Sequence, residues 1–231
     1  MSGSQEQGNL WSASQAEVWD YLSEPWRASV ELAWESYRAG SLPIGAVVAD
    51  TRGNVLSRGR NRIHERSGEN GSLFGHKLAH AEINALVTLD YDRSDPAACV
   101  LYTTTEPCPL CVGATRMSDV REVRYAAREP WGGSVAMFET VPYLKRGNVR
   151  VAGPEDGRLE EILVALQIER FLSLKPEVLE RFLVTYQAVM PDAVRAGRNL
   201  YRSGTLKEMS VAEAGAPAVL RVVSQELRAV A

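Results

Sequence analysis

The chain has 231 residues, 45% hydrophobic and 24% charged, which suits one large globular domain or a domain with a substantial appendage. Its formal charge of −3 argues against a broad nucleic-acid footprint, which requires a basic stripe. No apolar run reaches bilayer length, the polar first eight residues lack the order of a secretory signal, and three cysteines make no disulfide framework; a cytoplasmic protein is expected.

Residues 1–22 read as an N-terminal arm, with a short helix over 10–22 carried by Trp11, Val18, Trp19 and Leu22. Ser23-Glu24-Pro25 is a helix start, a capping hydroxyl followed by an acid and a proline in the first turn. Trp26, Val30, Ala33, Trp34 and Tyr37 follow at helical spacing to Gly40, an apolar face that packs inward. Residues 44–49 and 55–60 predict two strands around the turn residues 50–54, with Asn61 where the second strand ends. The polar segment 62–77 is a loop leading to a helix over about 79–89, with Ile83, Leu86 and Val87 on its core face. A strand over 99–103, a helix over 108–117, a strand over 120–126, a loop at 129–133 and a fifth strand at 149–152 complete an α/β pattern. From about residue 157 the pattern turns helical. Leu159, Ile162, Leu163 and Leu166 trace one amphipathic face, Ile168 lies on the far side, and Val178, Leu179, Phe182, Leu183 and Tyr186 trace another.

The chemistry concentrates between residues 80 and 111. His80, Cys108 and Cys111 offer one imidazole and two thiolates, a three-ligand set for zinc that leaves a fourth tetrahedral position open. Cys108 and Cys111 stand in the first turn of a helix, where unpaired amides and the helix dipole favour a thiolate. Glu82, two residues after His80, can lie beside the ion without binding it, which is the place of a proton shuttle. The backbone carbonyl of Glu106 is expected to face a substrate amine, and the Ala81 N–H to donate to a substrate ring or carbonyl. Cys99 reads as a small core residue, His64 and His76 as loop residues, and Trp131 either closes over a bound ring or pins its loop.

The segments Pro43-Ile44-Gly45-Ala46-Val47, Gly59-Arg60-Asn61-Arg62, Ala79-His80-Ala81-Glu82-Ile83 and 105–114, with the strand ending Ala126-Ala127-Arg128, resemble the cytidine deaminase-like superfamily. Within it they are similar to the branch of tRNA adenosine deaminases and bacterial guanine deaminases. The resemblance implies a three-layer α/β/α fold with a five-stranded mixed sheet, and homodimers or larger assemblies. It makes His80, Cys108 and Cys111 zinc ligands, Glu82 the proton shuttle, Asn61 a hydrogen-bonder to base or sugar, and Ile44 part of the ring pocket.

Residues 65–77 look inserted relative to the tRNA enzymes, an addition able to reshape or cover the pocket mouth. The tail after residue 157 balances acids and bases and shows no cluster of Lys and Arg for phosphate contacts. The domains expected are therefore the arm 1–22, a zinc-dependent deaminase domain 23–155, and a helical extension 156–231 packed on the core or on a partner subunit. The reading is a zinc-dependent hydrolytic deaminase of a small nucleobase, nucleoside or related amino-heterocycle, with nucleic acid not expected as a partner. The alternatives are a tRNA adenosine-to-inosine deaminase and a non-catalytic member in which zinc only holds the fold.

Overall fold

The computed structural model describes residues 17–68, 71–155, 158–174 and 179–231. The N-terminal helix expected over 10–22 is represented by α1 (Glu17–Tyr21); residues 10–16 lie outside the described residues. Helix α2 (Glu24–Arg38) starts at Ser23 with Pro25 in its first turn, but the Ser23 hydroxyl makes no capping hydrogen bond. Trp26, Trp34 and Tyr37 are buried as their spacing predicts.

Five strands form one mixed sheet in the order β2-β1-β3-β4-β5. These are β1 (Gly45–Asp50), β2 (Val55–Arg60), β3 (Cys99–Thr105), β4 (Glu122–Ala127) and β5 (Arg150–Ala152). β1 pairs antiparallel with both β2 and β3, whereas β3, β4 and β5 run parallel. The two-residue alternation of a strand sorts side chains onto the two faces. Val47, Ala49, Val100 and Tyr102 join α2 and the C-terminal helices in one core. Ala46, Val48, Cys99 and Leu101 join the other, with α3 (Ala81–Val87) and α4 (Pro109–Met117). Helices on both faces of a five-stranded sheet make the three-layer α/β/α arrangement of the cytidine deaminase-like fold.

Two glycines let helices approach the sheet closely. A Cβ at Gly45 would lie 2.1 Å from the Ser29 carbonyl oxygen in α2. A Cβ at Gly59 would lie 2.2 Å from both the Ala81 oxygen and the Ala85 nitrogen in α3. The second contact sets the height of the helix that begins beside His80.

Several expectations are corrected here. α3 is shorter than the 79–89 span, and Val87 is 49% exposed because the helix turns only its Ala81, Ala85 and Leu86 side toward the sheet. The single-turn helices α5 (Met137–Thr140) and α6 (Pro142–Lys145), and a 3-10 turn at Pro96–Ala98, occupy stretches with no readable period. After β5, α7 (Arg158–Leu174), α8 (Leu179–Val189), α9 (Pro191–Ser203), α10 (Thr205–Val211) and α11 (Ala216–Val230) follow. α7 packs against β4, α9 and α11, so its residues Leu159 to Glu169 are buried almost continuously, Ile168 included. Leu183 and Tyr186 of the second face are buried; Val178 lies outside the described residues. Among the described residues no helix is long and apolar enough to cross a membrane.

Candidate active site

The starts of α3 and α4 meet at the sheet, and the three expected ligands meet there. His80 precedes the first turn of α3 and Cys108 the first turn of α4, each in extended backbone, while Cys111 lies within α4. His80 Nδ1 lies 3.6 Å from Cys108 Sγ and 3.5 Å from Cys111 Sγ, and the two sulfurs are 3.6 Å apart. Tetrahedral zinc with bonds of about 2.3 Å to sulfur and about 2.0 Å to nitrogen needs edges of roughly 3.5–3.8 Å. The donor triangle fits that ion without rearrangement. The sulfurs are free thiols, too far apart for a disulfide bond of about 2.05 Å. Hydrogen bonds from Cys111 and His80 pull the Cys108 thiol down to about 4, so Cys108 is the first of the pair to ionise.

Glu82 lies in the first turn of α3 and is 4% exposed. Burial is the largest influence on its carboxyl and pushes its pKa up, so it holds a proton closer to neutral pH than an ordinary glutamate. The Thr103 hydroxyl sits between Glu82 Oε1, at 3.3 Å, and the carbonyl oxygen of Thr105, at 3.1 Å. Glu82 is thus tied to the end of β3, the strand that runs directly into Cys108.

Asn61 leaves β2 with its backbone fixed on both sides: its N–H donates to the Ile44 carbonyl at 2.9 Å, and its carbonyl accepts from Ser36 Oγ at 2.5 Å. Its Oδ1 accepts from the Ile63 N–H at 3.3 Å, and its Nδ2 has no partner among the described residues. Ile44 is partly buried against the core that contains Ala81. The Ala81 N–H opens α3, where helix geometry leaves amide groups without an intrahelical acceptor. The Glu106 carboxylate is engaged elsewhere: Oε2 accepts from the Glu129 N–H and Oε1 from the Val135 N–H, at 3.3 and 3.4 Å. It shapes the 129–135 loop.

Trp131 on that loop stays 59% exposed, its ring 6.3 Å from Phe182 of α8. Phe182 in turn meets Phe171 edge to face and lies tilted against Tyr186. The loop is therefore propped from the C-terminal helices. His64 and His76 are exposed and stand outside the donor triangle. The inserted segment is fastened down: Glu65 pairs with Arg60 and Arg62, and Asn84 of α3 bonds Leu73 through both its N–H and its carbonyl. Sequence reasoning missed Thr103, Glu129, Phe182 and Tyr186. A signal for the first was present in three successive threonines, Thr103 to Thr105, immediately before Glu106-Pro107-Cys108.

Residues 22–127 match the model of the cytidine and deoxycytidylate deaminase zinc-binding region. The chain is 34% identical to the guanine deaminase of Bacillus subtilis over 44% of its own length and 61% of that protein's. It is 34% identical to the tRNA-specific adenosine deaminase of the same organism over 46% of its own length and 62% of that protein's. It is also 30% identical to a tRNA(Ile)-lysidine synthase of Deinococcus radiodurans, over 54% of its own length but 21% of that protein's. The chain thus spans less than two thirds of each of these relatives. The similarity to the two deaminases covers under half of this chain.

Proposed function

We propose that this chain, whose residues 22–127 match the model of the cytidine and deoxycytidylate deaminase zinc-binding region, is a zinc-dependent hydrolytic deaminase of a small nucleobase, nucleoside or related amino-heterocycle. The observation that carries the proposal is the buried, Thr103-tethered Glu82 carboxyl beside the His80–Cys108–Cys111 triangle. A site that only held the fold together would place no demand on that carboxyl.

His80, Cys108 and Cys111 would hold the ion. Zinc, when bound, supplies Lewis acidity that brings the ionisation of a water molecule to about neutral pH. The reaction replaces a ring C–NH2 by C=O: a C–O bond forms, the C–N bond breaks, and water and substrate leave as product and ammonia. Protons must move from water to a ring nitrogen and to the departing amine. Glu82 is the group for that movement, since its burial keeps the protonated form accessible and Thr103 holds Oε1 in place. Asn61 Nδ2 and the Ala81 N–H orient the ring, and the Glu106 carbonyl accepts from the amine. Ile44 and Trp131 supply apolar walls.

The relatives divide between free bases and tRNA, and the second reading is a tRNA adenosine-to-inosine deaminase, favoured by the 34% identity to such an enzyme. The two are separated by an ammonia-release screen over purines, pyrimidines, pterins and triazines, run beside a salt-dependent tRNA gel shift. Turnover of a free heterocycle that disappears in Glu82→Ala, with zinc still stoichiometric, supports the first reading. Unchanged turnover in that variant sinks both. We also propose that copies pair through the apolar surface of Ile83, Val87, Tyr91 and Met117 on α3, α4 and the segment after α3, the test being sedimentation of wild type against Met117→Lys. The three free thiols suit a cytoplasmic setting.

A further inference from the structure

A cleft of about 690 Å³ lies away from the zinc triangle, between α2, α7, α9 and α10. Four cations line it: Arg38 from the end of α2, Arg170 from α7, Arg202 from the end of α9 and Lys207 from α10. Glu169 is the one acid in its lining, in a chain whose acids outnumber its bases 29 to 26. Charges so gathered repel one another unless an anion sits among them.

Among the described residues, carboxylates neutralise these cations only in part. Arg202 and Lys207 have no ion-pair or hydrogen-bond partner among the described residues. Arg38 has only a long contact of 3.6 Å to Glu213, whose side chain is 79% exposed, a weak pair easily exchanged. Arg170 is anchored instead: its Nε donates to the Ser41 carbonyl at 3.0 Å, and its guanidinium lies 5.1 Å from the centre of the Tyr37 ring. One arginine is thus held in place at the wall while two cations stand unpaired opposite, an arrangement suited to phosphate oxygens.

The remaining lining says what else the ligand carries. Tyr201 is 43% exposed and offers a ring face. Glu169 is 2% exposed and is held by the protein: its Oε1 accepts from Ser173 Oγ at 3.3 Å, and the Tyr37 hydroxyl lies against its carboxylate. The exposed ring face of Tyr201 suits a base, which bare phosphate lacks and a nucleotide has. The volume lies within the range of small-ligand sites, about 300–1,000 Å³.

We infer that this cleft binds a nucleoside di- or triphosphate, its phosphates among Arg38, Arg170, Arg202 and Lys207 and its nucleoside toward Tyr201. The site is separate from the zinc triangle and does not depend on the deaminase reading.

Isothermal titration of the intact, zinc-loaded chain with ATP, GTP, CTP, ADP, inorganic triphosphate and bulk tRNA tests it. Saturable one-to-one binding of a nucleotide is expected. It should weaken at least tenfold in the double variant Arg202→Ala/Lys207→Ala, which loses no hydrogen bond or ion pair among the described residues and keeps its melting temperature. Tyr201→Ala should weaken the nucleotide and leave inorganic triphosphate unchanged. The inference is overturned if wild type binds no nucleotide, if the double variant binds as wild type does, or if inorganic triphosphate binds as tightly as any nucleotide. Binding of tRNA without binding of any nucleotide overturns it as well.

Discussion

Gln167 on α7 donates its Nε2 to Thr105 Oγ1 at 2.5 Å, joining the middle of a C-terminal helix to the last residue of β3. Thr105 is also the residue whose carbonyl shares the Thr103 hydroxyl with Glu82. A helix beyond the family-matched segment therefore buttresses the strand end that positions both Glu82 and Cys108. Gln167→Met removes this bond and also the unpaired, buried Oε1, so the two effects on stability oppose each other and should cancel to within about 1 kcal/mol. Turnover should fall several-fold with KM little changed, since Glu82 loses alignment and the binding groups do not. A variant that melts as wild type does and turns over at the wild-type rate would remove Gln167 from this role.

Arg128 and Glu160 make the second tie between the family-matched segment and α7. Glu160 Oε1 accepts from the Arg128 backbone N–H at 2.9 Å and from Nε at 2.7 Å, and Oε2 accepts from Nη2 at 2.9 Å. The carboxylate is nearly buried, its side chain 8% exposed. Glu160→Ala takes the partner from the Arg128 backbone N–H at the end of β4 and removes the ion pair, which should cost about 1–3 kcal/mol in urea unfolding. Arg128→Ala, whose own side chain is 46% exposed, leaves Glu160 bonded to the backbone N–H and should cost less than Glu160→Ala. Equal losses in the two would mean that the backbone bond contributes nothing.

These two ties mark where the sequence became illegible. The zinc triangle was readable because ligation fixes residue type at short spacing, and Glu82 because one carboxyl two residues from His80 has few other uses. The sheet was readable from alternating apolar runs and turn residues such as those at 50–54. Amphipathic periodicity placed α7 and the face of α8, but it cannot say which surface covers a helix that is apolar on several sides, as Ile168 shows. Gln167, Glu160 and Glu169 carry no readable role in the sequence because their partners lie in distant segments. The cleft shared by Arg38, Arg170, Arg202 and Lys207 was invisible for the same reason: no two of its charges lie in a common run.

The Gly59 contact gives a prediction about helix placement. A methyl group there meets the Ala81 oxygen and Ala85 nitrogen at 2.2 Å, both backbone atoms of α3 that cannot turn aside. Gly59→Ala must push α3 off β2 and His80 with it, at a cost of about 1–3 kcal/mol or more for overpacking. Zinc affinity should fall in parallel with melting temperature. Wild-type zinc content in a destabilised variant would show that His80 does not follow α3.

Removal of zinc bears on the same geometry. His80 opens one helix and the two cysteines belong to another, so an ion bound to all three joins α3 to α4 in the folded chain alone. Ligand held by the native state stabilises it by about 4 kcal/mol when present at a thousand times its dissociation constant. Chelation should lower the melting temperature, and zinc should restore it. Cys111→Ser should melt low and respond weakly to added zinc. A melting temperature indifferent to chelator would mean that the three donors do not bind an ion together.

Tyr186 sets an alkaline limit on stability. It is fully buried, with its hydroxyl beside the Glu129 carboxyl but in no hydrogen-bond geometry. Burial first, and the neighbouring acids Glu129 and Glu106 after it, raise its pKa far above the ordinary value of about 10. The folded chain keeps this proton where the unfolded chain gives it up. The stabilisation is therefore complete below about pH 10 and is lost as pH climbs above it. In urea unfolding, wild type should lose stability more steeply between about pH 10 and 11.5 than Tyr186→Phe, which has no proton to hold there. At pH 7 the variant should match wild type or exceed it by up to about 1 kcal/mol, because an unpaired buried hydroxyl has been removed. Tyr37, Tyr102 and Tyr125 are also raised by burial, so both proteins decline in alkali, and the difference in slope is the quantity that belongs to Tyr186. Parallel curves would place Tyr186 in contact with water and detach α8 from the loop it props.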